Sequence, residues 1–393
     1  MTGQPHGGTH PHPFLHRHVA NRIRTGASIA LHWIKSNVVL VVAILAAVVT
    51  SCLVPPDAQY ASYFDWKTLT CLFCTLAVIC ALKNIKFFTI LARKIVDCTG
   101  NLRTAVIALV YITFLGSMLI SNDMALLTFL PLGYFVLTST ANEKHMAFVF
   151  IMQNIAANLG GMLTPFGNPQ NLYLYSKFNI PTGEFMGIMA LPFTASIVII
   201  TVCCLFLPRD RLSLREPCLH RLPIKRTIVY LILFAFSIII VFRILPYWIG
   251  LIVIPAALLL LDRKALRDVD YGLLATFFCF FIFAGNMARI PAVSALFSTL
   301  LAKNTLLVSI LSCQFISNVP SAILLSQFTT DYPALLLGVN IGGTGTLIAS
   351  LASLISFREY TAHNPGKAGS YLLQFSIYNF GFVILLAVLC SIF

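Results

Sequence analysis

The chain has 393 residues, of which 58% are hydrophobic and 10% charged, with a formal net charge of +13. A soluble domain carries about a quarter charged residues, so water is excluded as the main solvent. Nucleic acid is excluded as a partner because Lys and Arg fall in short stretches between apolar runs, not on one basic face.

The runs 38–54, 194–207, 227–245 and 372–389 approach the roughly 20 residues that a hydrocarbon core of about 30 Å requires. A barrel would alternate in segments of about ten residues. The need to satisfy every backbone group internally therefore leaves helices. The fold class is an all-α polytopic membrane protein.

Residues 1–30 carry His6, His10, His12, His16 and His18 among Gly and Pro, and Arg17, Arg22 and Arg24. They read as a disordered cytoplasmic tail in which nothing fixes a metal's coordination geometry. The first apolar run starts near Asn37 and lacks a small-x-small cleavage site, so it is expected to be retained as a span. Cys71 and Cys74 form a C-x-x-C inside an apolar helix with no second pair, which is read as packing.

Basic clusters set the orientation: Arg17 to Lys35, Lys83 to Arg103, Arg209 to Arg226, and Arg263, Lys264 and Arg267. All four are expected on the cytoplasmic side of the inner or plasma membrane, with the amino terminus inside and the carboxyl terminus outside. The segments 85–96 and 292–302 are too short or too mixed to span and read as interfacial helices. Arg289 is read as an anchor at a helix end, and Asp65 and Asp270 as caps of helix starts.

The chain also repeats itself. Asp65-Trp66 pairs with Asp270-Tyr271, Ser121-Asn122 with Ser317-Asn318, and Gly160-Gly161 with Gly342-Gly343. The basic cluster follows the Asp65 helix but precedes the Asp270 helix, so the two run in opposite directions. Residues 31–207 therefore read as a first transmembrane repeat and 208–226 as a cytoplasmic linker. Residues 227–393 read as an extra helix plus a second, inverted repeat. About nine complete crossings and two re-entrant hairpins are expected.

Two features of each repeat carry polar chemistry. Ser121-Asn122-Asp123 interrupts the apolar stretch 105–137, and Ser317-Asn318 does so in the second repeat, where Pro320 follows. Asn158 to Asn171, with Gly160, Gly161, Thr164, Pro165 and Gly167, holds more breakers than one continuous helix tolerates. Asn340 to Ser350 matches it with Gly342, Gly343 and Thr346 but lacks the prolines. Broken helices expose carbonyls that hold a cation and N–H groups that hold an anion. Asp123 is the one acid placed near the membrane centre and has no counterpart in the second repeat, so it is read as coupling transport to H⁺ or Na⁺.

With these residues in place the chain resembles the ion transporter superfamily, which includes arsenite permeases, divalent anion to sodium symporters, citrate carriers and Na⁺/H⁺ antiporters. The resemblance covers about residues 30–393. The stretch from Ser121 to Pro131 looks like the N-D-x-A-x-L-x-x-x-P segment of the arsenite permease branch. Gly160 to Asn171 is similar to the broken-helix segment of related anion permeases and of the sodium-dicarboxylate branch. That last branch has Ser-Asn-Thr at both tips, whereas here Asp123 and Val319 stand third.

The expected substrate-facing residues are Ser121, Asn122, Ser317, Asn318, Thr164, Thr346 and Asn171. The expected ion-coupling set is Asp123, Asn158, Gly160, Gly161, Pro165, Gly167, Asn340, Gly342 and Gly343. The resemblance implies an elevator movement against a scaffold that forms a homodimer.

The expected function is secondary active transport of a small anion: an oxyanion such as arsenite or sulfate, or a carboxylate such as citrate or a dicarboxylate. The alternative is a cation/proton antiporter. Partners are then the anion, a coupling cation and the lipid bilayer, with no resident cofactor. No intramembrane His pair, Ser-Lys pair or Cys/His set supports an enzyme. With no G-x-x-x-x-G-K-[ST] loop, energy must come from a gradient or a separate ATPase subunit.

Overall fold

A computed structural model describes residues 37–210 and 222–392. The His-rich tail, the first basic cluster and most of the linker at 208–226 lie outside the described residues. The described chain is all helix, with no strand.

The first half runs through α1 (Val38–Leu53), α2 (Trp66–Asn84), α3 (Phe87–Asp97), α4 (Leu102–Ile120), α5 (Asn122–Ser139), α6 (Met146–Gly160), α7 (Pro169–Lys177) and α8 (Thr182–Leu205). The second contains α9 (Ile224–Val241), α10 (Tyr247–Leu261), α11 (Arg263–Arg267), α12 (Tyr271–Arg289), α13 (Pro291–Lys303) and α14 (Thr305–Ile316). It ends with α15 (Asn318–Leu325), α16 (Tyr332–Gly342), α17 (Leu351–His363) and α18 (Ala368–Ile392).

Polar side chains start these apolar helices by accepting from otherwise orphaned N–H groups. Asp65 accepts from Thr68 N at 3.0 Å and Asp270 from Leu273 N at 2.8 Å. Asn101 and Asn304 cap α4 and α14 in the same way, at 3.0 and 2.8 Å.

Among the described residues, six segments are long and apolar enough to cross a membrane: Trp66–Asn84, Leu102–Ile120, Thr182–Leu205, Ile224–Val241, Arg263–Arg289 and Ala368–Ile392. Val38–Leu53 and Tyr247–Leu261 are apolar but shorter, at 16 and 15 residues. The expected interfacial segments form α3 and α13, of 11 and 13 residues. Arg289 does end α12, but it is no unpaired anchor. Its guanidinium donates to both Asp57 oxygens, at 3.0 and 2.7 Å, and to Tyr63 Oη at 3.1 Å.

Cys71 and Cys74 are buried and unbridged within α2, where α9 and α10 pack against that helix. α1 packs along α12. α4 lies on α6 and α14 on α16, while α5 also meets α17 and α15 meets α7. The two hairpins and the two interrupted helices thus interlock crosswise. That interlock places all their broken ends together.

Candidate functional site

The turn at each hairpin tip is made by a single serine. Ser121 has φ 69° and ψ 157°, and Ser317 has φ 73° and ψ 161°, a region open essentially to glycine alone that costs about 1–3 kcal/mol elsewhere. This conformation lets α4 stop and α5 begin without a loop, and likewise α14 and α15. The next side chain then folds back on its own helix start. Asn122 Oδ1 accepts from Asp123 N at 3.0 Å, and Asn318 Oδ1 from Val319 N at 2.9 Å. Pro320 is tolerated because it sits in the first turn of α15, where its missing N–H has no helical acceptor.

Both tips dock on the break before α17. Asn122 Nδ2 donates to Asn158 Oδ1 at 3.0 Å and to Ser350 Oγ at 3.3 Å. Asn318 N and Ser317 Oγ both donate to Ala349 O, at 2.9 and 3.2 Å.

A cavity of about 400 Å³ opens beside them, within the size range of small-molecule sites. Its lining includes Asn122 and Asp123, Pro169 and Gln170, Asn318 and Val319, and Ser350 and Leu351. These pairs are the starts of α5, α7, α15 and α17. Four helix N-termini, each a positive dipole end, therefore face one space. The remaining wall is mostly apolar, with Val38 and Val42 from α1 and Phe280 and Phe283 from α12. Among the described residues, no Lys, Arg or His lines it.

Two of the lining residues carry unpartnered oxygens. Asp123 Oδ1 and Gln170 Oε1 are buried without a hydrogen-bond partner among the described residues, as are Asn168 Oδ1, Thr344 Oγ1 and Ser353 Oγ outside the lining. Asp123 also shares the lining with the start of α17, where the Ala352 N–H donates to Ser350 Oγ at 3.2 Å. It occupies ground that a bound anion would share.

The cavity collects Asn122, Asp123, Ser317 and Asn318 of the expected residues, with Ser121 making the turn next to it. The rest form the layer behind. Thr164 Oγ1 donates to Met118 O at 3.0 Å, and Thr346 Oγ1 to Gln314 O at 3.1 Å. Asn171 Nδ2 donates to the carbonyls of Gly161 and Met162, each at 3.2 Å, and Asn340 Nδ2 donates to Asn171 Oδ1 at 2.7 Å. Thr164, Thr346 and Asn171 therefore brace the breaks instead of lining the cavity.

Asn158 links Asn122 to Asn154, whose Nδ2 reaches Asn379 Oδ1 at 3.4 Å. Pro165 is buried within the first break, and Gly167 N donates to Thr164 O at 3.2 Å. Gly161 and Gly343 close their helices against Asn168 and Asn318.

Gly160 and Gly342 are contact points. A Cβ on Gly342 would lie 2.9 Å from Ile310 Cα, and one on Gly160 would meet the Phe114 carbonyl. The helix α6 can thus approach α4, and α16 approach α14, only through glycine.

Sequence reading missed Gln170, Ser350 and Gln314. The first two had a weak signal as Asn168-Pro169 and Ser350-Leu351 helix starts. Gln314, which accepts from Thr346 N at 2.8 Å and donates to Gly342 O at 2.9 Å, had none.

The profile of the citrate transporter family matches residues 27–333. The chain is 32% identical over 332 residues to an uncharacterized transporter of Methanocaldococcus jannaschii, covering 84% of this chain and 90% of that one. It is 28% identical over 328 residues to an inner membrane protein of Escherichia coli, with 80% and 86% covered. The resemblance drawn from the tips and breaks agrees with these matches. With a family profile spanning most of its length and the apolar helices to cross a bilayer, the chain belongs to the citrate transporter family and is a multi-pass membrane transporter.

Proposed function

We propose that this protein is a secondary active transporter of a small carboxylate anion of the citrate class, coupled to H⁺. The observation that carries the reading is the convergence of four helix N-termini on one mostly apolar cavity that no cationic side chain lines among the described residues. In low dielectric such dipoles bind an anion well, and unlike a lysine or arginine they leave no buried full charge when it departs. The family match adds carboxylate chemistry.

The position of Asp123 supports proton coupling. An ionised Asp123 repels an anion from the same helix ends, and protonation removes that repulsion. Anion and proton are then bound together and released together. The unpartnered oxygens of Asn168, Gln170, Thr344 and Ser353 are suitable ligands for Na⁺, which keeps Na⁺ as the second coupling ion to test. The crosswise packing of the hairpins supports two inverted repeats and an elevator movement of the hairpin-bearing part. On the charge argument the carboxyl terminus is outside.

The test is uptake into proteoliposomes of labelled citrate, succinate, sulfate and arsenite, at two pH values and with or without Na⁺, for wild type and Asp123→Asn. Citrate-class uptake that rises at lower pH in the wild type and loses that dependence in Asp123→Asn supports the reading. Cation exchange without any anion requirement would replace it with the antiporter.

A further inference from the structure

Away from the central cavity, a second recess of about 530 Å³ opens between the turn before α6, the end of α8 and the first half of α18. Lys144 and His145 come from that turn, Phe206 to Pro208 follow α8, and Gln374 and Tyr378 come from α18. Both α8 and α18 are long and apolar enough to cross a membrane. A recess at the end of one and the first turns of the other lies at the depth where lipid head groups begin.

Three further observations fit that depth. Phe206 is 85% exposed just past the end of α8, the place for an interfacial aromatic. Arg103 Nε donates to Leu207 O at 2.7 Å and Leu102 N to Asp210 O at 2.8 Å, which ties the basic start of α4 to the same end. The rings of Phe148 and Tyr378 meet edge to face at 5.6 Å and give the recess an apolar floor.

Two polar groups of the recess lack partners among the described residues. Lys144 makes no ion pair, and His145 Nε2 is buried with no hydrogen bond. Burial, and next to it the Lys144 ammonium, hold the His145 imidazole below its ordinary value, with Asp210 acting weakly the other way. An ammonium and an imidazole nitrogen above an apolar floor complement a phosphodiester whose acyl chains lie along aromatic rings.

We propose that the Lys144–His145 recess holds the phosphate of an anionic phospholipid head group. The occupant ties the α6 turn to α8 and α18, and the anionic leaflet supplies it.

The test follows the melting temperature of the purified full chain in detergent. The additives are short-chain phosphatidylglycerol, short-chain phosphatidylcholine and inorganic phosphate, and the proteins are wild type, Lys144→Gln/His145→Gln and Gln374→Lys. A ligand that binds the folded state raises that temperature by mass action. Phosphatidylglycerol is expected to stabilise the wild type while the other two additives do not. The double variant should need about tenfold more lipid for the same shift, and Gln374→Lys, which adds a cation to the rim, should need less. Citrate uptake in phosphatidylcholine vesicles should be unchanged by the double variant.

Equal stabilisation by phosphatidylcholine would overturn the proposal, and equal stabilisation by phosphate would assign the recess to a soluble anion. If the double variant does not fold, Gln374→Lys decides, and an unchanged lipid response in it sinks the idea.

Discussion

Ser121 and Ser317 hold a backbone that glycine adopts without steric cost, yet each places a hydroxyl at a hairpin tip. Ser121→Gly releases strain of about 1–3 kcal/mol against about 0.5–1 kcal/mol of added unfolded-state entropy. Thermal unfolding should therefore show it as stable as wild type or more so. Ser121→Ala keeps the strain and should unfold below Ser121→Gly. Citrate uptake should fall several-fold in both if the hydroxyl faces the substrate, and full uptake in either variant would remove Ser121 from the site.

At the scale of elements, Gly160 and Gly342 set how closely an interrupted helix lies on its hairpin. Gly342→Ala forces a Cβ to within 2.9 Å of Ile310 Cα, and overpacking of this kind costs about 1–3 kcal/mol. Gly381→Ala, in α18 with nothing within 4 Å of the new Cβ, gains helix propensity of up to about 1 kcal/mol. The melting temperature should drop in the first and hold or rise in the second. Equal effects would mean that α16 does not depend on this contact to approach α14.

At the scale of the whole molecule, Asp57 and Arg289 clasp the connection between α1 and α2 to the end of α12. The hydrogen-bonded guanidinium holds the Asp57 carboxyl below its ordinary value of 3.8. A depressed folded-state pKa gives stability that is present above the unfolded value and is lost as pH falls through the lower folded one. Asp57→Asn should therefore flatten the acid limb of a stability profile below about pH 4 and change little at neutrality, as expected of an exposed pair.

Orientation is testable in intact cells. In a cysteine-free background, Ile392→Cys should react with an impermeant maleimide, and Lys264→Cys only after permeabilisation. The opposite pattern would reverse the assignment of sides.

What the sequence alone determined was the solvent, the fold class and the four broken places. Charge scarcity and apolar run length decide the first two. The breaks were legible because Ser121, Ser317, Gly160 and Gly342 sit where a continuous helix cannot tolerate polar tips or glycine pairs. The local energetics of a helix are written in consecutive residues.

Tertiary structure decided which of those residues share a cavity. It turned Thr164, Thr346 and Asn171 away into bracing and brought Gln170 and Ser350 in. It also gave Arg289 a carboxylate partner 232 positions away. The crossing of α5 with α17 and of α15 with α7 depends on side-chain packing between segments far apart in the chain. Pairing of that kind leaves no periodic trace in either segment.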